Sequence, residues 1–304
     1  MTTETKEKDE ISGMRREKVT LGFPWYAAPD VDCYPIFFQQ MHYFGRLRER
    51  CEWINWIGKE YGQDAQVKAL KELPNLDPSL ADGDHTEFKL EENTIFEFGL
   101  THLVSYSLPG QAREVLAEAA LADGADWLFT WDHDMQFAWS MFLKLWRHRK
   151  PVCAALAFTA REPIKPVIYR IHKARDIHTG QINYHSEWIQ DYPKDQLIGS
   201  EDLGGSIAFG SGVVLFNTSV FRQMSKPWFH STGCGEDWMF CLRCHLNNIP
   251  IYVDTSAKTV HKRREPRWAG EMEYEEERKK YADTYLRLQK NQDYDIEEWK
   301  ESML

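Results

Sequence analysis

Trp127-Leu128-Phe129-Thr130-Trp131-Asp132-His133-Asp134 decides how the chain is read. An apolar run that ends in two carboxylates one residue apart has the form of a buried strand delivering a hard-metal site to its C-terminal edge. Residues i and i+2 of a strand point to the same side. Asp132 and Asp134 therefore converge on one cation if strand geometry persists to the end of the run. Two carboxylates are too few to cage Mg²⁺ or Mn²⁺, which complete their shells with water and substrate phosphate. A phosphorylated ligand is expected.

Working outward, helices and strands alternate. Val19–Phe23 reads as a first strand closed by Pro24, residues 36–57 have helical spacing, 74–92 form a polar loop and 94–100 a second strand. Pro109 in a first turn, followed by Ala, Glu and Leu, predicts a helix to Leu121 that Gly124 stops. A helix over 138–146 and a strand over 152–158 follow the acidic pair. Residues 160–205 yield no clear element, and 207–216 is apolar but broken by Gly210 and Gly212. A helix over 236–247 opens with acids that suit its positive end, and 249–254 is a last strand. Strands separated by helices argue an α/β fold with a mostly parallel, doubly wound sheet. Ligands of such sheets lie beyond the carboxyl ends of the strands, where Asp132 and Asp134 fall. The expected organisation is a flexible tail over 1–18, one α/β domain over 19–265 and a charged helical extension over 266–304.

With 42% hydrophobic and 13% aromatic residues in 304, the chain has the composition of a globular protein with a sizeable core. It offers no apolar run of the ~18 residues a membrane helix needs, and residues 1–18 lack the apolar centre of a signal peptide. A cytoplasmic location is the expectation. The six cysteines are scattered, which fits buried thiols better than a disulfide framework. Cys241-Leu-Arg-Cys244-His245 matches a haem-attachment pattern but falls inside a helix, so haem is rejected. The formal charge is −10, yet residues 144–175 hold nine Lys or Arg against one acid, and Lys262, Arg263, Arg264 and Arg267 follow later. Such a zone flanking the acidic pair favours polyanionic partners.

Three further clusters carry chemistry. Gly233-Cys234-Gly235-Glu236-Asp237 puts two acids at a helix start, where either can take a proton from an attacking hydroxyl or simply serve the helix cap. His261 is either a packed histidine or a ligand for Mn²⁺ or Zn²⁺, beside cations that can neutralise a leaving diphosphate. Arg113 lies near a helix N-terminus, where a cation is disfavoured unless a ligand phosphate or Asp132 compensates it.

Ala112-Arg113-Glu114, Gly124 to Met135, Gly210-Ser211-Gly212, Gly235-Glu236-Asp237 and His261 together resemble, in order and spacing, a GT-A glycosyltransferase of the kind common in bacteriophage and bacterial genomes. The resemblance covers residues 19–262 and departs from the family at His133, where small residues are frequent, and over 160–205. It implies a GT-A (Rossmann-like) fold and a nucleoside diphosphate sugar donor, a UDP-sugar first, with Mn²⁺ or Mg²⁺. It implies that Asp132 contacts ribose or metal, that Asp134 and His261 bind the metal, and that Pro24-Trp25-Tyr26 faces the nucleobase. Arg113, Gly212 and Lys262 would lie on the donor, and Glu236 and Asp237 would border sugar and acceptor, Asp237 being the base if the reaction inverts. The acceptor expected is a hydroxyl, either on a hydroxymethylated base in phage DNA or on a glycan or protein. A nucleotide-sugar-binding or hydrolysing protein is the alternative.

Overall fold

The computed structural model describes residues 15–25, 41, 44–45, 56–57, 59–62, 64–65, 94–105, 108–138, 140–160, 163–175, 181–230, 235–262, 268–280 and 282. The described strands are β1 (Arg15–Trp25), β2 (Thr94–Ser105), β3 (Trp127–Trp131), β4 (Met135–Phe137), β5 (Val152–Leu156), β6 (Ile168–Arg175), β7 (Ile182–Trp188), β8 (Leu197–Ile198), β9 (Ser206–Phe209), β10 (Val213–Asn217), β11 (Ile251–Lys262) and β12 (Trp268–Ala269). Among the helices are α1 (Pro109–Ala122), α2 (Met141–Arg147), α3 (Ser200–Leu203), α4 (Ser219–Gln223), α5 (Glu236–Leu246) and α6 (Glu271–Lys280). The helix expected over 36–57 and the loop over 74–92 lie largely outside the described residues. Met41, Phe44, Gly45, Trp56 and Ile57 are helical.

The main sheet runs β12-β11-β5-β10-β3-β1-β2, with β4 and β8 also paired to β11. Of the strands on that path, β1, β2, β3, β5 and β11 share one direction. β10 runs against its neighbours β3 and β5, and β12 against β11. The expected α/β fold with a mostly parallel sheet flanked by helices is what the structure has. A second, antiparallel sheet of β7-β6-β9 draws β6 and β7 from the region 160–205, for which the sequence yields no clear element, and β9 from the start of the apolar stretch after it.

Strand β3 is apolar throughout because both of its faces are covered. Leu128 joins a core with Leu116 and Ala117 of α1, Phe240 of α5 and the second sheet. Trp127, Phe129 and Trp131 enter the opposite core with Phe142 and Trp146 of α2. Two elements differ from the sequence reading. β11 does not stop at Asp254 but continues to Lys262 through a bulge between Asp254 and Lys258. The Asp254 side chain supports that bulge by accepting from Ser256 N at 2.8 Å, Ser256 Oγ at 2.6 Å and Ala257 N at 3.2 Å. Polar residues inside the strand disguised it. Helix α2 starts at Met141 instead of Ala138, because Met135–Phe137 is drawn into pairing with Thr259–His261.

Within 266–304, expected as a charged helical extension, residues 271–280 form α6. Its Tyr274 is fully buried. No helix among the described residues is long and apolar enough to cross a membrane.

One buried carboxylate ties β1 to both neighbours of its core. Glu17, 2% exposed, accepts from the indole N–H of Trp127 at 2.8 Å and of Trp146 at 2.6 Å. It also accepts from the Arg149 guanidinium at 2.6 Å. Removing it strands two buried indoles and a cation, so Glu17→Ala should lose about 3–5 kcal/mol of stability. Glu17→Gln should lose clearly less. Urea unfolding of the two variants checks the order.

Candidate functional site

The run that ends β3 does not continue as a strand. The Met135 N–H donates to the Asp132 carbonyl at 3.1 Å, closing a turn over 132–135 that leads into β4. Strand geometry therefore does not persist through Asp134, and the turn aims Asp132 and Asp134 at different partners. Asp132 keeps the side of β3 that faces α1 and meets Arg113. Asp134 turns toward β11 and meets His261. Backbone bonds fix the turn on both sides: Asp132 N–H donates to the Gly212 carbonyl at 2.8 Å, and Lys262 N–H to the Asp134 carbonyl at 2.8 Å.

Arg113, 3% exposed, is the hub. One guanidinium nitrogen donates to both Asp132 oxygens, at 2.6 and 2.8 Å, and the other donates to Glu236 Oε1. Gly110 makes this possible, since a Cβ there would lie 2.7 Å from the Phe229 carbonyl and 3.1 Å from Glu236 Cβ. The close approach of α1 to the start of α5 sets Arg113 beside both acids. The anticipated compensation of a cation near a helix N-terminus is thus supplied by Asp132 and Glu236.

His261 lies on β11 itself, not after a link as the shorter strand had implied. Its Nδ1 donates to the Phe158 carbonyl at 2.8 Å and its Nε2 faces Asp134 Oδ2 at 3.0 Å. A carbonyl only accepts, so Nδ1 carries the proton and Nε2 is the nitrogen presented to Asp134. Burial works to lower the imidazole, but the Asp134 carboxylate outweighs it and raises it above the usual histidine value. Asp134 moves reciprocally: burial works to raise it, and the His261 bond and charge hold it below the usual carboxylate value.

Glu236 and Asp237 open α5, with Gly235 as its N-cap residue. A Cβ there would sit 2.6 Å from Asp237 Oδ1 and would displace that carboxylate. That oxygen curls back to accept from Trp238 N at 2.7 Å. Burial, reinforced by the Glu236 charge, pushes the Asp237 carboxyl up.

These groups surround one cavity of about 420 Å³ lined by Arg113, Asp132, Glu236, Asp237 and His261 over an apolar floor that includes Met135, Phe158 and Val167. Around the cavity, Asp132 and Glu236 share the Arg113 guanidinium, and Asp134 is bonded to His261. Burial first, with Asp134 and Glu236 adding, pushes Asp132 up to about 7 against the pull of Arg113. Among the described residues no three His, Cys, Asp or Glu side chains converge closely enough to hold a metal unaided. The donor set fits a hard dication that takes the imidazole and carboxylate of His261 and Asp134 and fills its shell with ligand oxygens and water.

Other predicted residues are placed less directly. Gly212 lines the cavity, and its missing Cβ admits Met135 Cε, which a Cβ would meet at 2.9 Å. Lys262 follows His261 on β11. Pro24 and Trp25 end β1 opposite Val104 and Ser105. Tyr26, Gly233, Arg263, Arg264 and Arg267 lie outside the described residues. The wall over Ala157–Ala160 was not anticipated as part of the site. β5 parallel to β11 brings its carboxyl end to the same edge, a consequence of topology that no local motif announces.

No family model and no curated protein matches the chain. Solved structures with a similar course include A197 from STIV, at 10% identity and TM-score 0.42, covering 84% of this chain and 93% of that one. GalNAc-T7 with UDP, GalNAc and Mn²⁺ is 12% identical with TM-score 0.37, over 82% of this chain and 44% of that one. Apo UDP-glucose pyrophosphorylase is 10% identical with TM-score 0.33, over 89% of this chain and 100% of that one. At these values the likenesses bear on no chemical assignment.

Arg113→Met should cost about 3–5 kcal/mol, because it leaves two enclosed carboxylates without their cation. In an Asp132→Asn, Glu236→Gln background the same substitution should cost much less. Thermal or urea unfolding of the four proteins gives the coupling, and additive losses would deny that the three side chains form one unit.

Proposed function

We propose that this protein is a metal-dependent glycosyltransferase that moves a sugar from a nucleoside diphosphate sugar, a UDP-sugar first, to a hydroxyl acceptor. One observation carries the reading: an acidic turn at the carboxyl end of a central strand shares a cavity with a histidine, a buried arginine and a second acidic pair. A phosphate-bearing donor arriving with a dication suits that set of oxygen and nitrogen donors.

In this assignment Asp134 and His261 hold Mn²⁺ or Mg²⁺, with Asp132 beside them on the metal or the ribose. When bound, the ion stabilises the charge that develops on a departing diphosphate. Arg113 holds Asp132 and Glu236 in register. Lys262 adds positive charge next to His261, and Pro24, Trp25 and Tyr26 are assigned to the nucleobase side. Asp237, its carboxyl already raised by burial, is suited to take the acceptor proton as a new glycosidic bond forms with inversion. If configuration is retained, Asp237 only orients sugar or acceptor. The catalytic unit assigned is 19–265.

For the acceptor, a hydroxymethylated DNA base and a glycan or protein hydroxyl are the two candidates. Several cations of the 144–175 zone are engaged within the protein: Lys144 donates to the Ser256 carbonyl, Arg149 to Glu17 and Arg170 to Glu187. The zone offers a polyanion less than its composition suggests. Salt separates the candidates, since transfer to DNA should weaken steeply between 50 and 200 mM salt and transfer to a neutral glycan should not.

A panel of nucleotide sugars with Mn²⁺, scored for nucleoside diphosphate release with and without acceptors, tests the assignment. Asp134→Ala and His261→Ala should each lose at least about 100-fold of metal-dependent turnover while far-UV circular dichroism stays native. Full Asp134→Ala turnover in chelator would remove the metal from the reaction. Release unaffected by any acceptor would favour the hydrolase alternative.

The pH dependence has a defined sign. A carboxyl raised to about 7 holds its proton below that value, and a metal competes with that proton. Mn²⁺ affinity measured by calorimetry should therefore fall as pH drops from 8 to 6, with net proton release on binding near pH 7. Affinity independent of pH over this range would contradict the charge account.

A further inference from the structure

Helix α6 is strongly polar and buries a single side chain, Tyr274. That ring packs on Phe158 with centroids 5.6 Å apart, and its hydroxyl donates to the Gln190 carbonyl at 3.2 Å. Phe158 is fully buried, bridges to Pro166 and lines the cavity. Its carbonyl is the group that accepts from His261 Nδ1. A second route reaches the same histidine: β12, just before α6, pairs Ala269 with His261 and Trp268 with Lys262.

The rest of α6 is fastened to segments around that wall. Glu277 accepts from Ile164 N at 3.1 Å, and Glu271 accepts from the Tyr192 hydroxyl at 3.0 Å and pairs with Lys258. The helix therefore grips both the carbonyl partner and the strand partner of His261, on the side of the wall away from the cavity.

We infer that Tyr274 is a positioning residue for His261: by backing Phe158, it keeps the imidazole aimed at Asp134. The functional consequence rests on the reading that Asp134 and His261 hold the ion. The geometric core, a Phe158 carbonyl held in place from behind, does not.

Two measurements on the full chain test this. Tyr274→Leu keeps an apolar side chain but removes the ring, and Tyr274→Phe keeps the ring and removes the bond to Gln190. Phe221→Leu is a control in the core: Phe221 is buried in α4, past the Asn217 end of β10, whereas the cavity lies at the Val213 end. In the metal-free protein, NMR should show the His261 Nδ1 proton protected from exchange in wild type, Tyr274→Phe and Phe221→Leu, and at least tenfold faster in Tyr274→Leu. Calorimetric Mn²⁺ affinity without substrate should fall about tenfold in Tyr274→Leu alone, the scale expected for loss of an outer support of a metal ligand.

Unchanged Nδ1 exchange in Tyr274→Leu overturns the inference, as does equal loss of protection in Phe221→Leu, which would mean general loosening. Absence of Mn²⁺ binding by wild type would defeat the metal reading, while the exchange comparison would still decide whether Tyr274 supports His261.

Discussion

A single buried guanidinium carries the organisation of the site. Arg113 bonds to Asp132 from the end of β3 and to Glu236 from the start of α5. Those two acids lie more than a hundred residues apart in the chain, and both are mostly buried at the wall of one cavity. Enclosed carboxylates without a cation would be costly. The arginine makes the arrangement tolerable, and Gly110 lets the helices approach closely enough for it to reach. The remaining chemistry follows from that contact. The acidic turn faces the second acidic pair across one cavity, and burial first, with neighbouring carboxylates adding, raises Asp132 and Asp237.

His261 supplies the opposite wall by a different device. It is fixed through its far nitrogen by the Phe158 carbonyl, so the near nitrogen is presented to Asp134. The bulged strand β11 delivers it, with the Asp254 side chain bonding to the bulge backbone. Helix α6 stands behind that wall. That helix is therefore tied to the cavity by packing through Tyr274 on Phe158.

The sequence made some of this legible. The continuous apolar run of β3 announced a strand covered on both faces, and the alternation of strands and helices announced the α/β sheet. Arg113, Asp132, Asp134, Glu236, Asp237 and His261 were all singled out, and the fold brings them together. Their pairing was not legible. Periodicity places Asp132 and Asp134 on one side, but a backbone bond inside the turn separates them, and no local signal predicts that bond. The bulge in β11 was hidden because Thr255 and Ser256 break the apolar pattern at the point where Asp254 supports the backbone. Residues 160–205 were opaque because most positions of β6 and β7 are half-buried or exposed, which blurs the alternation of apolar and polar residues.

Diffraction at the manganese edge from crystals grown with Mn²⁺ and UDP is the most direct measurement of the central claim. The account predicts one anomalous peak in the cavity within bonding distance of Asp134 Oδ2 and His261 Nε2, in contact with the diphosphate. A diphosphate bound in the cavity with no such peak, or a manganese site remote from that pair, would contradict it.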